Sequence, residues 1–359
     1  MDTDTIPVSG VQELDKHLDE LLVDPTLSLT PRLFDDVELQ LTDANIPPLI
    51  PRLLPKLTEI LRQYQQDPAI LCSLAIKLLT PLSFTQVLSL ASEEALIQAL
   101  RSPAAPSANI LAMTILEKAA TTPSDAAILA MMNNLVINFV AQWLSAPQVE
   151  VGEKGSRVLG KLLDVDCETR PPNDLSVNGM EITAWKPSGQ GLMWRRIFHD
   201  HDIYDLILSL CSNSNNSPLS TQQQSLAQGR LLRVLPRLAA LNFRTVTYSE
   251  FADLNRRYAN VDGNSGLLHF AALHMIDKED VLMHLNLVDF FEALLSIQRL
   301  TPFSTYKMDT LKKLVRDATA QDRALKAALL SLPERTKPEE AEDLSRFIQE
   351  IFGFLANPS

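Results

Sequence analysis

ILCSLAIKLL (70–79), ILAMTILEKA (110–119) and KGSRVLGKLL (154–163) are three versions of one pattern, set 40 and 44 residues apart. In each, apolar residues return every third or fourth position, the spacing of one helix face. A fourth segment, LLHFAALHMI (267–276), fits the template after an interruption. Between them lie segments of a second kind, EEALIQALRSP (93–103), LVINFVAQWLSAP (135–147), IYDLILSLCSN (203–213) and LVDFFEALLSI (287–297), each running into a polar or proline stop. Two alternating helix types at a period near 40 residues mark armadillo and HEAT arrays. One helical hairpin cannot cover its own apolar face, so neighbours stack and share a continuous core. The spacing predicts an all-α fold, a right-handed armadillo/HEAT-like α-solenoid, as a single domain over residues 1–359.

Composition agrees. Hydrophobic residues make up 46% but aromatics only 6%, and 11 glycines are few for the length, a balance that favours helices over sheets. The 22 prolines fall mostly between the periodic segments, where they stop helices. Residues 164–192 break the period with Pro-Pro, Asn-Asp and three glycines, and read as a long inserted loop. NSNNSPLSTQQQS (213–225) reads as a second polar linker.

Charge and cysteine usage narrow the function. A formal net charge of −12 repels phosphate backbones and anionic lipid, so neither nucleic acid nor membrane is the expected partner. Cys72, Cys167 and Cys211 are odd in number and far apart, as in reduced thiols that pack rather than react. MDTDTIPVSG lacks the basic, apolar and small-residue progression of a signal peptide, so a cytoplasmic monomer is expected, with the nucleus as a second compartment. The apolar run 126–144 carries Asn133, Asn134, Asn138 and Gln142, amides that suit a helix inside a soluble protein better than a membrane span.

FHDHDIYD (198–205) is the one stretch that suggests metal chemistry, and a metal-dependent phosphohydrolase is the alternative it raises. His199 and His201 stand two apart at a helix mouth, which fits neither a HExxH helix nor a strand-borne ligand set. Asp202 as an N-cap, with Asp205 in the first turn, explains the same letters. His269 and His274, five apart, diverge by about 140° on a helix, and with His284 they read as ordinary histidines. With no phosphate loop and no nucleophile elbow, the sequence points away from an enzyme, a cofactor or a small-molecule substrate.

Binding candidates are therefore surface stripes. Asn134, Asn138 and Gln142 fall within a strip about 80° wide, and Glu94 and Gln98 extend it into the previous repeat when Leu100 is aligned with Leu144. Such an amide ladder suits a general adaptor holding an extended partner. Arg230, Arg233 and Arg237 form a basic strip suited to an acidic protein. Trp194, Arg195 and Arg196, in WRRIF, combine residue types enriched at binding hot spots.

Within 152–213, KGSRVLGKLLDVDCE and GQGLMWRRIFHDHDIYDLILSLCS resemble a fungal family of proteasome assembly chaperones. The family is named for a DNA mismatch-repair phenotype and is similar to proteasome non-ATPase regulatory subunit five. The resemblance implies a C-shaped helical-repeat chaperone, not an enzyme. Such a chaperone binds the C-terminal domain of one proteasomal AAA ATPase subunit, assists assembly of the regulatory-particle base and leaves the mature complex.

Overall fold

The structure is a computed structural model that describes residues 8–102, 105–168, 188–213, 219–261 and 263–353. Among them are twenty α-helices, two short 3-10 turns and no strand, so the protein is all-α. The chain divides into two compact units, 1–142 and 143–359, where the sequence reads as one continuous array. Unit 1 holds α1 (Val11–Val23), α2 (Pro31–Gln40), α3 (Ile50–Gln63), α4 (Ala69–Leu79), α5 (Phe84–Leu88), α6 (Glu93–Arg101), α7 (Pro106–Lys118) and α8 (Pro123–Met131). The division falls inside α9 (Asn133–Ser145). Unit 2 continues with α10 (Val149–Val165), α11 (Leu192–Phe198), α12 (His201–Cys211), α13 (Thr221–Leu241), α14 (Phe243–Thr247), α15 (Ala252–Ala259) and α16 (Leu267–Leu273). It closes with α17 (Val281–Gln298), α18 (Thr305–Thr319), α19 (Arg323–Ser331) and α20 (Pro338–Ile351).

The quoted repeat segments all coincide with helices: α4, α7, α10 and α16 carry the first kind, and α6, α9, α12 and α17 the second. Side-chain bonds join segments that lie far apart in the chain. In unit 1 Lys56 donates to Asp15 at 2.7 Å across 41 residues, Ser73 to Glu38 across 35, and Lys118 to the Leu82 carbonyl across 36. In unit 2 Lys278 donates to the Ala318 carbonyl across 40 residues, Arg299 to Glu340 across 41, and Lys312 to Glu350 across 38.

Two expectations change. The apolar run 126–144 is two helices, broken at Met132 and bent by 94° between α8 and α9. Asn133 and Asn134 follow the break, residues whose side chains compete with the helical backbone. Of the expected loop at 164–192, residues 164 and 165 finish α10 and Leu192 starts α11, while 169–187 lie outside the described residues.

Helix α17 is long and apolar enough to cross a membrane by length and composition. It packs on α13 and α19 and buries Met283, Leu287, Phe290, Phe291, Leu294 and Leu295. Its C-terminus is closed by a buried cation: the Lys307 ammonium, 5% exposed, donates to the Gln298, Thr301 and Pro302 carbonyls and to the Thr301 hydroxyl at 2.8–3.1 Å. Burial lowers the Lys307 pKa, yet four oxygens hold the charge. Lys307→Met leaves buried acceptors unpaired and is expected to cost about 3 kcal/mol, read as faster native-state hydrogen exchange along α17. Unchanged exchange there would show that the ammonium closes nothing.

Candidate functional site

Helix α13 is the hub of unit 2, in contact with α10, α12, α14, α16 and α17. Ser220 and Gln223 start it with a reciprocal capping box. Ten of its residues are buried, among them two polar ones that reach out in different directions. Gln228 donates to the Cys211 carbonyl at the end of α12 (3.0 Å) and to the Met275 carbonyl (2.9 Å). Arg230, expected on a basic surface strip, is 6% exposed. Its guanidinium donates to the Trp143 and Leu144 carbonyls at the end of α9 (3.0 and 2.9 Å) and to the Gln148 carbonyl (2.9 Å).

Helix α10 makes room for this clamp with glycines. A Cβ on Gly152 would land on the Arg230 guanidinium, and one on Gly155 would lie 2.6 Å from Trp143 Cδ1. Trp143 in turn donates its indole N–H to the Ser156 hydroxyl at 2.8 Å. Gly152 and Gly155 thus mark a close approach between α10 and the side chains of Arg230 and Trp143. Burial lowers the Arg230 pKa, but a guanidinium stays charged throughout the ordinary range. Arg233 and Arg237 are exposed, Arg233 in an ion pair with Glu153. The expected three-arginine strip is therefore one internal clamp and two surface cations.

The amide ladder divides in the same way. Asn134 is exposed, whereas Asn138 is 8% exposed, accepts from Arg101 Nε at 2.5 Å and donates to the Asn134 carbonyl at 2.7 Å. Gln142 donates to the Asn109 side chain at 3.0 Å. Asn109, fully buried, donates to the Ala99, Leu100 and Ser102 carbonyls at 2.7–3.2 Å, closing the C-terminus of α6. Asn138 and Gln142 are thus occupied inside unit 1, while Glu94 and Gln98 stand exposed on α6.

In WRRIF the indole is internal and the guanidiniums are local. Trp194 is 4% exposed, donates to the Leu163 carbonyl at 2.8 Å and stacks on Phe198 with ring centroids 5.3 Å apart. Buried Asp166, at the end of α10, accepts the backbone N–H groups of Gln190, Met193 and Trp194, and so holds the start of α11. Exposed Arg195 donates to the Gln190 carbonyl at 2.7 Å, and Arg196 donates to Asp200 at 2.6 Å.

FHDHDIYD resolves into pairs. Among the described residues, no group of three or more His, Cys, Asp and Glu side chains could hold a metal ion. His199 Nδ1 lies 3.1 Å from Glu250 Oε1, and His201 Nε2 lies 3.1 Å from Asp253 Oδ2, so the N-terminus of α12 is joined to the start of α15. Phe251 sits between them in the chain, its ring 5.1 Å from that of His201 and 5.4 Å from that of Tyr204. The N-cap of α12 is Asp200, not the expected Asp202: the Asp200 carboxylate accepts the backbone N–H groups of Asp202 and Ile203 at 3.1 and 3.3 Å. Asp200 has the extended backbone that a cap requires, and Asp202 is already inside the helix. Asp205 accepts from the Tyr258 hydroxyl at 2.8 Å. Elsewhere His284 Nε2 meets Asp322 at 2.9 Å, and His269 and His274 do not join it. All three cysteines are buried, and burial pushes the Cys72 thiol up to about 11.

No protein-family model, curated protein or solved structure matches the chain.

Two outcomes follow from these contacts. Arg230→Ala leaves the last carbonyls of α9 without donors and is expected to destabilise unit 2 by about 3 kcal/mol, while Arg237→Ala stays within about 0.5 kcal/mol. Urea unfolding that shows equal effects would remove the clamp. The second concerns pH. The Asp253 hydrogen bond raises the His201 pKa, and the same bond lowers that of Asp253. The His201 contribution is then complete below the ordinary histidine value of about 6.5 and is lost as pH rises through the higher folded value. NMR titration should place His201 above that value, with Asp253→Asn moving it down; a midpoint indifferent to the substitution would rule the pair out.

Proposed function

We propose that the chain is a non-catalytic α-solenoid scaffold, and that it acts as an assembly chaperone binding the C-terminal domain of a proteasomal AAA ATPase subunit. The observation that carries the solenoid reading is the side-chain register: helix joins at separations of 35 to 41 residues are what stacked helical repeats of about that length require. The partner rests on the resemblance within 152–213, the segment in which Gly152, Gly155, Trp194, His199 and His201 lie. Helical repeat arrays present long faces on which a folded domain is held by many modest contacts.

The side chains left for such contacts are the exposed ones of the three stripes: Glu94, Gln98 and Asn134 in unit 1, and Arg195, Arg233 and Arg237 in unit 2. A −12 chain favours a partner of basic surface, with association that weakens as salt rises. The purified full chain, immobilised and offered each proteasomal ATPase C-terminal domain in turn at modest salt, is expected to retain one of them and to lose it progressively at higher salt. Retention of none overturns the chaperone reading. Retention of short basic peptides in place of a folded domain points instead to an adaptor.

A further inference from the structure

The described side chains of unit 1 leave a space between them. Between α3, α4, α5, α6 and α7 lies an open cleft of about 540 Å³, inside the range of roughly 300–1,000 Å³ typical of small-molecule sites. Its floor is apolar, with Leu57, Leu61, Leu79, Val87, Leu96 and Ile115 contributed by all five helices. Packed interiors rarely leave voids larger than a water. Here the space exists because Ala75, Ala95, Ala99, Ala108 and Ala112 stand on the walls where longer side chains would meet.

The mouth has a different chemistry. Gln65, Gln66 and Gln98 line it with amides, and Thr58 and Ser102 with hydroxyls; Gln65 and Gln66 donate to the Gln63 and Thr26 carbonyls and Thr58 to that of Leu54, so these three offer their oxygens as acceptors. Its two charged side chains already have partners: Arg62 donates to Glu59 at 3.1 Å, and Asp67 accepts the Ala69 backbone N–H at 3.0 Å where α4 begins. An anionic ligand would meet the Asp67 carboxylate and no free cation, since Arg62 is paired with Glu59, and a charged ligand of either sign would lose hydration on entry. An uncharged ligand loses little, and its one polar end has amides to bond.

We propose that this cleft binds an uncharged, mainly apolar small molecule, its body lying between α4 and α7 and its hydroxyl or amide end at Gln65, Gln66 and Gln98. The site does not rest on the scaffold reading, although Gln98 is common to both, since it concerns a ligand held in the cleft of unit 1 and not a protein held on its surface.

The test uses the full chain and a neutral apolar dye, Nile red. Saturable binding at one site is expected, with displacement by 1-decanol at a concentration at least about tenfold below that needed for decanoate. Ala99→Leu, which fills the cleft from a half-buried position, is expected to weaken dye binding by about tenfold or more with the thermal transition unchanged. No saturable binding, decanoate competing as well as decanol, or undiminished binding by a folded Ala99→Leu protein would each overturn the proposal. Should that variant fail to fold, hydrogen exchange of the unaltered protein decides. Decanol slows exchange in 64–68 and in α6 but not in α18 if the cleft is the site, and a uniform or absent effect rejects it.

Discussion

The last carbonyls of a helix have no partner within it, and in an array of short helices joined by tight turns these groups are buried too often for water to serve them. With only 11 glycines in the chain, the usual glycine-based C-terminal cap is scarce. This protein meets the constraint in trans. Asn109 closes α6, Lys118 the turn after α4, Arg230 the end of α9, Trp194 that of α10, Gln228 that of α12, Lys307 that of α17 and Lys278 that of α18. Each donor sits on a different helix from its acceptor or just beyond it, so satisfying a local backbone need fixes which helix lies beside which. Apolar burial brings the helices together without direction, and these bonds select the register.

The helices were legible because apolar residues return in them at the spacing of one helix face. The four segments of the KGSRVLGKLL kind and the four that alternate with them are all helices. The polar stripes were less legible. A polar residue every third or fourth position looks the same in one dimension whether it meets solvent or reaches the end of a neighbouring helix. Asn138, Gln142 and Arg230 took the second course, and their partners lie 37, 33 and 82 to 87 residues away. One signal was available: Gly152 and Gly155 inside an otherwise strong helix announce that something large approaches.

FHDHDIYD shows the complementary limit. Reading the aspartates as helix-start chemistry was right in kind, but the cap moved by two positions, because which aspartate has extended backbone depends on where α11 ends, at His199. The acids that pair with the histidines, Glu250 and Asp253, lie about fifty residues downstream, beyond any local pattern. The cleft in unit 1 had no sequence signal at all. Alanines on a helix face read as core, and only the positions of five helices together reveal the space that the described side chains leave between them.

The Arg230 clamp and the histidine pairs give unit 2 two joints of opposite character. Carbonyl oxygens carry no net charge to be screened and no proton to lose, and a guanidinium keeps its own, so the α9–α13 joint holds a fixed geometry over a wide span of ionic strength and acidity. The α12–α15 joint includes the exposed His201 imidazole and Asp253 carboxylate, which respond to both. Changes in the surrounding medium are therefore channelled toward α15 and leave residues 143–148 and α10 where they are, so unit 2 has a stationary frame at one joint and an adjustable edge at the other.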